Sequence, residues 1–161
     1  MRQSVTIRLA GPADTALLDR ALRALSDHLG DTHRATEACL AKAGFGATPA
    51  FRAQIALAAD TAVGVALYSP LYSTTRAMPG AYVSDLWVAQ EMRGGGLGNR
   101  LLAAVRDDAG AQWGAGFIRL SVYTDNPRAV AFYERSGFSP RRDEIGMLLE
   151  GEALARIGET T

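Results

Sequence analysis

"MRGGGLGNRLL", Met92 to Leu102, places three consecutive glycines, a leucine and a fourth glycine directly ahead of an amphipathic segment. Glycine costs roughly 0.5–1 kcal/mol relative to alanine inside a regular element, so four of them at the head of a helix require a geometric cause. Close approach of a ligand to the backbone supplies one. Two named phosphate motifs do not fit. The dinucleotide fingerprint G-x-G-x-x-G needs a glycine where Asn99 stands when counted from Gly94, or where Leu101 stands when counted from Gly96. No Gly-Lys-Ser/Thr occurs for a P-loop. What remains is a strand, a loop and a glycine-lined helix N-terminus, where free N–H groups and the positive end of the helix dipole face an anion. A flexible turn without a ligand is the competing reading of the loop taken alone.

Outward from the glycines, "LLAAVRDDAGAQWG" sets Leu101, Leu102, Val105 and Ala109 on one helical face. "GAYVSDLWVAQ" before them reads as a strand. "AFRAQIALAA" and "TAVGVALYSPLYST", split at Asp60 and Thr61, read as a hairpin. At the start, "SVTIRL" alternates as a strand, and "ADTALLDRALRALSDHLG" carries Leu17, Leu18, Leu22 and Leu25 at helical spacing up to Gly30. "DTHRATEACLAKAGFG" predicts a shorter helix ending near Gly44. Towards the end, "FIRLSVYT" predicts a strand, "PRAVAFYERSG" a helix from Pro127 to Gly137, and "IGMLLEG" a last strand. The pattern is a mixed α/β (α+β) domain around one central sheet, and a single domain is expected over 1–161.

With 17 basic and 17 acidic residues dispersed along the chain, no electrostatic footprint for nucleic acid is visible. No run of about 18 apolar residues and no apolar leader occurs, so no membrane partner is expected and the expected location is the cytoplasm. Cys39 is the only cysteine. It rules out a disulfide within the chain and any cysteine-based zinc site, and is expected to pack as a small hydrophobe. His28 and His33 lie five apart, which is not a helix-face metal pair, and are expected at the surface. No metal is expected.

"VSDLWVAQEMRGGGLGNRLL" followed by "SVYTDNPRAVAFYERSGF" resembles the GCN5-related N-acetyltransferase (GNAT) superfamily. The family's Arg/Gln-x-x-Gly-x-Gly/Ala loop is matched by Arg93, Gly96 and Gly98. Its downstream Asn…Tyr…Gly-Phe pattern is matched by Asn126, Tyr133, Gly137 and Phe138. "KAGFGATPAFRAQIA" and "YSTTRAMPGAYVSDLWV" are closer to the diamine acetyltransferase branch, which includes spermidine/spermine and thialysine acetyltransferases. That branch typically has Glu-Asp where this chain has Ser84-Asp85, Trp-x-Val-x-x-x-Asn where it has "SVYTDN", and Gly-Ala where it has Gly137-Phe138.

The resemblance implies a mixed, mostly antiparallel sheet flanked by helices, with acetyl-CoA in a splay between the fourth and fifth strands. It implies that the backbone of Leu86, Trp87 and Val88 pairs with the pantetheine arm and that Gly94, Gly95, Gly96, Leu97, Gly98 and Asn99 wrap the pyrophosphate. Arg93 or Arg100 adds charge; Arg100 reads equally as a solvated helix arginine. Asn126 reads as a helix cap, as a hydrogen-bond donor to the CoA arm, or as both. The motif makes Tyr133 the proton donor to the leaving thiolate, against the plain reading of a buried structural tyrosine.

Ser84 stands where the branch has its base. Its hydroxyl is not a base at neutral pH but can pass a proton to water. Strand alternation puts Asp85 on the opposite face and makes it a poor substitute. The implied reaction is transfer of acetyl from acetyl-CoA to a primary amine by direct attack, with a small di- or polyamine-like acceptor. The alternatives are an amino acid, antibiotic or protein amine as acceptor, or a non-catalytic acyl-CoA-binding module. A homodimer is expected by the same resemblance.

Overall fold

Strands β1 (Val5–Leu9), β2 (Arg52–Ala58), β3 (Thr61–Ser73) and β4 (Met78–Val88) pair antiparallel in chain order. β5 (Ile118–Leu120) then adds to β4 in parallel. The reversal follows from the connection: α3 (Leu97–Trp113) crosses over between β4 and β5, whereas tight turns join β2 to β3 and β3 to β4. This computed structural model describes residues 4–159. They fall into two compact units, one ending at Ser121 and the other beginning at Val122.

In the first unit, α1 (Thr15–Leu29) follows a short 3-10 turn at Pro12–Asp14 and stops at Gly30. α2 (Glu37–Phe45) is capped by Thr36, whose Oγ1 accepts the Cys39 amide at 3.2 Å. Leu18, Ala21 and Leu22 of α1 and Leu40 of α2 pack on Ala53, Ile55 and Val65, with Leu67 and Trp87 at the border. The other sheet face meets α3. A Cβ built on Gly64 lies 2.9 Å from Leu101 Cδ1, and Gly64 alternates with Val65 of the α1 face. Leu101, Leu102, Val105 and Ala109 are all buried, as their spacing predicts. Each fully buried Leu or Val side chain contributes roughly 1.5–3 kcal/mol over its exposed state.

A polar network fastens α3 to the sheet. Arg52 Nε and Nη2 donate to Asp108 at 2.7 and 2.8 Å, Tyr68 OH donates to Asp108 Oδ2 at 2.6 Å, and Gln54 Nε2 donates to Tyr68 OH at 3.0 Å. Among the described residues no buried side-chain nitrogen or oxygen lacks a partner. Such a satisfied network holds the helix in one position on the strands, and therefore also the glycine-lined end of the helix.

"FIRLSVYT" is strand only at Ile118–Leu120. Its last pair is Leu120 with Val83, and the β3–β4 register shifts at the next residue of β4. A bulge bends a strand and redirects its edge groups, so pairing beyond Val83 loses its template.

The second unit contains α4 (Pro127–Arg135) and α5 (Gly151–Ala155). The expected strand "IGMLLEG" does not form: residues 144–150 carry no strand, and the second unit has none among its described residues. Strand propensity expresses packing on neighbouring strands, and this unit offers none. Ile145, Met147 and Leu148 are instead 85%, 90% and 82% exposed. α5 begins at the end of this stretch and was not foreseen from its pattern.

Candidate active site

Between β4 and α3 the chain makes a 3-10 turn, Gln90–Met92, and enters the glycine loop. Gly94 and Gly96 have φ of +78° and +80°. An L residue held there pays about 1–2 kcal/mol of steric strain, which is why these two positions require glycine. Gly96 is the N-cap of α3 and supplies no side-chain cap. The helical ladder begins with the Arg100 amide on the Gly96 carbonyl at 3.1 Å. The glycine loop therefore stands at the positive end of a 17-residue helix. Leu97 is buried at 3% exposure, so only its main chain serves this end; its side chain anchors the turn in the core.

The two arginines beside the loop are oriented by backbone. Arg93 Nε donates to the Val88 carbonyl at 3.0 Å, which keeps its guanidinium over the end of β4. Arg100 Nη2 donates to the Val5 carbonyl of β1 at 3.0 Å, so Arg100 ties α3 to the first strand.

β4 presents an open edge next to the loop. The Ala89 amide bonds to the Val63 carbonyl of β3, so by the two-residue period Trp87 also turns its backbone groups to β3. Leu86 and Val88 then turn theirs to the other side, where β5 has already ended. Beyond Val83 this side of β4 therefore carries the ladder groups of Leu86 and the Val88 amide, the Val88 carbonyl accepting Arg93. That is a template for an extended, amide-bearing chain.

The bulge overturns one expectation. Tyr68 is opposite Val83 and Leu67 is opposite Asp85, leaving Ser84 as the extra residue of β4. Alternation breaks there, and Asp85 shares the sheet face of Leu67 and Trp87, the face covered by α1. Strict alternation had separated Ser84 from Asp85; here the Ser84 hydroxyl donates to Asp85 Oδ2 at 2.8 Å and lies 3.4 Å from the Leu67 carbonyl oxygen. Burial pushes the Asp85 carboxyl up, while the Ser84 hydrogen bond and the charge of His33 pull it back.

His33 is the residue whose position the sequence conceals. Its side chain is only 9% exposed, clamped by Ser26 Oγ at 3.2 Å from Nδ1 and by Asp19 Oδ1 at 3.2 Å from Nε2. Asp19 also receives Arg23 at 3.2 Å. Although burial acts to raise the Asp19 carboxyl, its hydrogen bonds to His33 and Arg23 hold it below the usual range. No pattern of type or spacing distinguishes His33 from His28, which is exposed. Cys39 is also exposed rather than packed, with the Thr36 hydroxyl donating to its Sγ at 3.2 Å.

In the second unit, Asn126 caps α4, its Oδ1 accepting the Ala129 amide at 3.2 Å. Tyr133 is half-buried and packs edge-on against Phe132 and Phe138, with ring centroids 5.1 and 5.5 Å away. Burial pushes its phenol up, so it is held in the protonated form. Ser84, the Leu86–Val88 edge and the glycine loop thus belong to the first unit, Asn126 and Tyr133 to the second. Among the described residues no group of three His, Cys, Asp or Glu side chains is arranged to hold a metal, and no helix is long and apolar enough to cross a membrane.

The model of the Acetyltransferase (GNAT) family matches residues 16–138. The chain is 31% identical over 166 residues to thialysine N-epsilon-acetyltransferase of Bos taurus, covering 95% of this chain and 96% of that one. In three dimensions it is similar to an integron cassette protein from the mobile metagenome of V. cholerae, with TM-score 0.79, 23% identity and coverage of 98% and 99%. It is also similar to an aminoglycoside N-acetyltransferase solved in complex with CoA, with TM-score 0.73, 16% identity and coverage of 92% and 95%.

Proposed function

Since the chain belongs to the acetyltransferase (GNAT) family and is an N-acetyltransferase, we propose that it transfers acetyl from acetyl-CoA to the side-chain primary amine of a small amino acid or diamine by direct attack. The observation that carries this reading is the β4 edge opened beyond Val83 next to the two left-handed glycines at the head of α3. Acetyl-CoA fits these residues by chemistry: an extended amide-bearing arm meets ladder groups, and a pyrophosphate meets backbone amides at a helix N-terminus. The donor supplies an activated thioester.

The chain's own groups divide the remaining work. Of the strand residues the resemblance names, Leu86 and Val88 hold the arm by backbone while Trp87 between them is committed to β3, and Gly94 to Asn99 hold the pyrophosphate, with Arg93 adding charge from above Val88. Asn126, besides capping α4, keeps its amide nitrogen for the CoA arm. Tyr133, protonated because burial disfavours its anion, gives a proton to the departing thiolate. Ser84 orients the neighbouring carboxylate, consistent with its hydrogen bond to Asp85.

The family match runs across the Ser121–Val122 boundary, which supports treating both units as one catalytic domain. The exposed Ile145, Met147 and Leu148 favour a homodimer, since runs of this kind seek cover. The cytoplasm, where acetyl-CoA is at hand, is the proposed location.

The relative's printed substrate makes thialysine the first acceptor to test. Acetyl-CoA is incubated with thialysine, ornithine, lysine, spermidine and an aminoglycoside, following thiol release and acetylated product by mass spectrometry. Acetylation of thialysine or ornithine above the others is expected. Turnover of the aminoglycoside alone would overturn the acceptor class.

A further inference from the structure

We propose that Arg93 is a positioning residue for the donor. By giving its Nε hydrogen to the Val88 carbonyl, it closes the last acceptor on the open edge of β4 and sets the register in which an extended, amide-bearing arm can pair there. The inference deepens the acetyl-CoA reading and rests on it.

The end of β4 carries the first part of the argument. Val88 turns its backbone groups to the side where β5 has already ended, so its carbonyl has no strand to meet. Left open, that oxygen would be one more rung for an arm pairing along Leu86 and Val88. Rungs are chemically alike, and a slip of one rung, two residues, moves an arm by about 7 Å. That is roughly twice the 3–3.5 Å at which an amine must meet the acetyl carbon. Arg93 removes the ambiguity. Its Nε lies 3.0 Å from the Val88 oxygen, five residues back along the chain, so the ladder runs through the Leu86 groups and stops at the Val88 amide.

The same bond fixes the spacing between strand edge and glycine loop. The Ala89 amide is tied to Val63 of β3 at 2.9 Å, the Met92 amide to the Ala89 carbonyl at 2.9 Å and the Arg93 amide to the Gln90 carbonyl at 3.2 Å. Arg93 itself is extended, with φ −71° and ψ 153°, and directly precedes Gly94, the first left-handed glycine. Its side chain therefore reaches from the residue ahead of the loop back to the last rung of the strand. One donor molecule must meet both places, with its amides and its pyrophosphate joined by a covalent chain. A site that holds this spacing beforehand has less to order when the donor binds.

The bonding atom separates this role from charge. Nε sits on Cδ, whereas the guanidinium's outer nitrogens, Nη1 and Nη2, lie one bond beyond it. Gln also carries a nitrogen donor on Cδ and has no charge, so Arg93→Gln keeps the bond and loses the cation. Met has comparable length with neither donor nor charge, so Arg93→Met loses both. The two variants are equal in charge and differ in the hydrogen bond.

The test compares the parent with these two variants. Arg93 is exposed, so all three proteins are expected to fold. In calorimetry with CoA, Arg93→Met should bind about 2- to 10-fold more weakly than Arg93→Gln, the worth of one hydrogen bond. This gap should persist in high salt, whereas any advantage of the parent over Arg93→Gln should shrink there as charge is screened. Backbone amide NMR with pantetheine, which has the arm and lacks the pyrophosphate, reads the register. In the parent and Arg93→Gln the shifts should fall on Leu86 and Val88. In Arg93→Met they should extend to the Ala89 amide, which shares a peptide plane with the freed Val88 carbonyl. Equal CoA affinity for the two variants overturns the positioning role and leaves Arg93 as a charge only. A pantetheine pattern in Arg93→Met identical to the parent's overturns the register. A parent in which neither ligand moves the amides of β4 or of the glycine loop overturns the acetyl-CoA reading itself and this inference with it.

Discussion

Replacing Gly96 separates an anion site made of backbone from one made of side chains. At φ +80° an L residue costs about 1–2 kcal/mol. A Cβ there meets nothing within 4 Å, so no clash adds to that cost. Gly96→Ala should therefore lower stability by about 1–2 kcal/mol, a fall in Tm of roughly 2–8 °C for a chain of this size. Gly96→Asp pays the same strain and adds a negative charge beside the pyrophosphate. Two unit charges 4 Å apart repel by about 1 kcal/mol in water and about 4 kcal/mol at an effective dielectric of 20, which weakens CoA binding roughly 5- to 1000-fold beyond the alanine variant. Calorimetry with CoA at low and high salt measures both. The gap between the two variants should shrink in salt, because the loop is exposed and the repulsion is screened. Equal CoA affinity for the two variants at low salt would refute the reasoning.

Tyr133→Phe keeps the ring against Phe132 and Phe138 and removes one hydroxyl, so CoA affinity should hold while kcat falls by roughly 10²–10⁴; a kcat within a few-fold of the parent makes Tyr133 structural. Asp108→Ala leaves the buried Tyr68 hydroxyl without its acceptor and should cost about 1–3 kcal/mol in urea unfolding at pH 7. The Arg52 hydrogen bond, chief among the causes, holds the Asp108 carboxyl below its ordinary range. Its stabilisation is therefore present above the unfolded value of about 3.9 and lost as pH falls through the lower, folded value, so the gap between parent and Asp108→Ala should close in acid.

The helices were legible because burial imposes a period. Leu101, Leu102, Val105 and Ala109 are buried on one face of α3, which packs on the sheet, and their spacing states it. The glycine loop was legible because four glycines at a helix entrance need a geometric cause, and the positive φ of Gly94 and Gly96 supplies one. Ser84 left no trace, since a bulge is an accident of register between β3 and β4 and "VSDLW" alternates acceptably without it. The expected separation of Asp85 from Ser84 did not allow for that bulge, which leaves the two side chains hydrogen-bonded. His33 was hidden because its burial depends on Ser26 and Asp19, which lie 7 and 14 residues away in the chain. "IGMLLEG" shows the opposite failure: an apolar run predicts a strand, but a strand needs a neighbour.

The central claim is that the donor is held by main chain, the pyrophosphate by the glycine loop and the arm by the edge of β4. Backbone amide NMR tests it most directly, by titrating the labelled protein with CoA and separately with pantetheine, which lacks the pyrophosphate. With CoA the largest shifts should fall on Gly94 to Asn99 together with Leu86 and Val88, and with pantetheine the strand residues should move while the glycines stay. CoA shifts centred away from the loop, or glycine shifts of equal size with pantetheine, would contradict it.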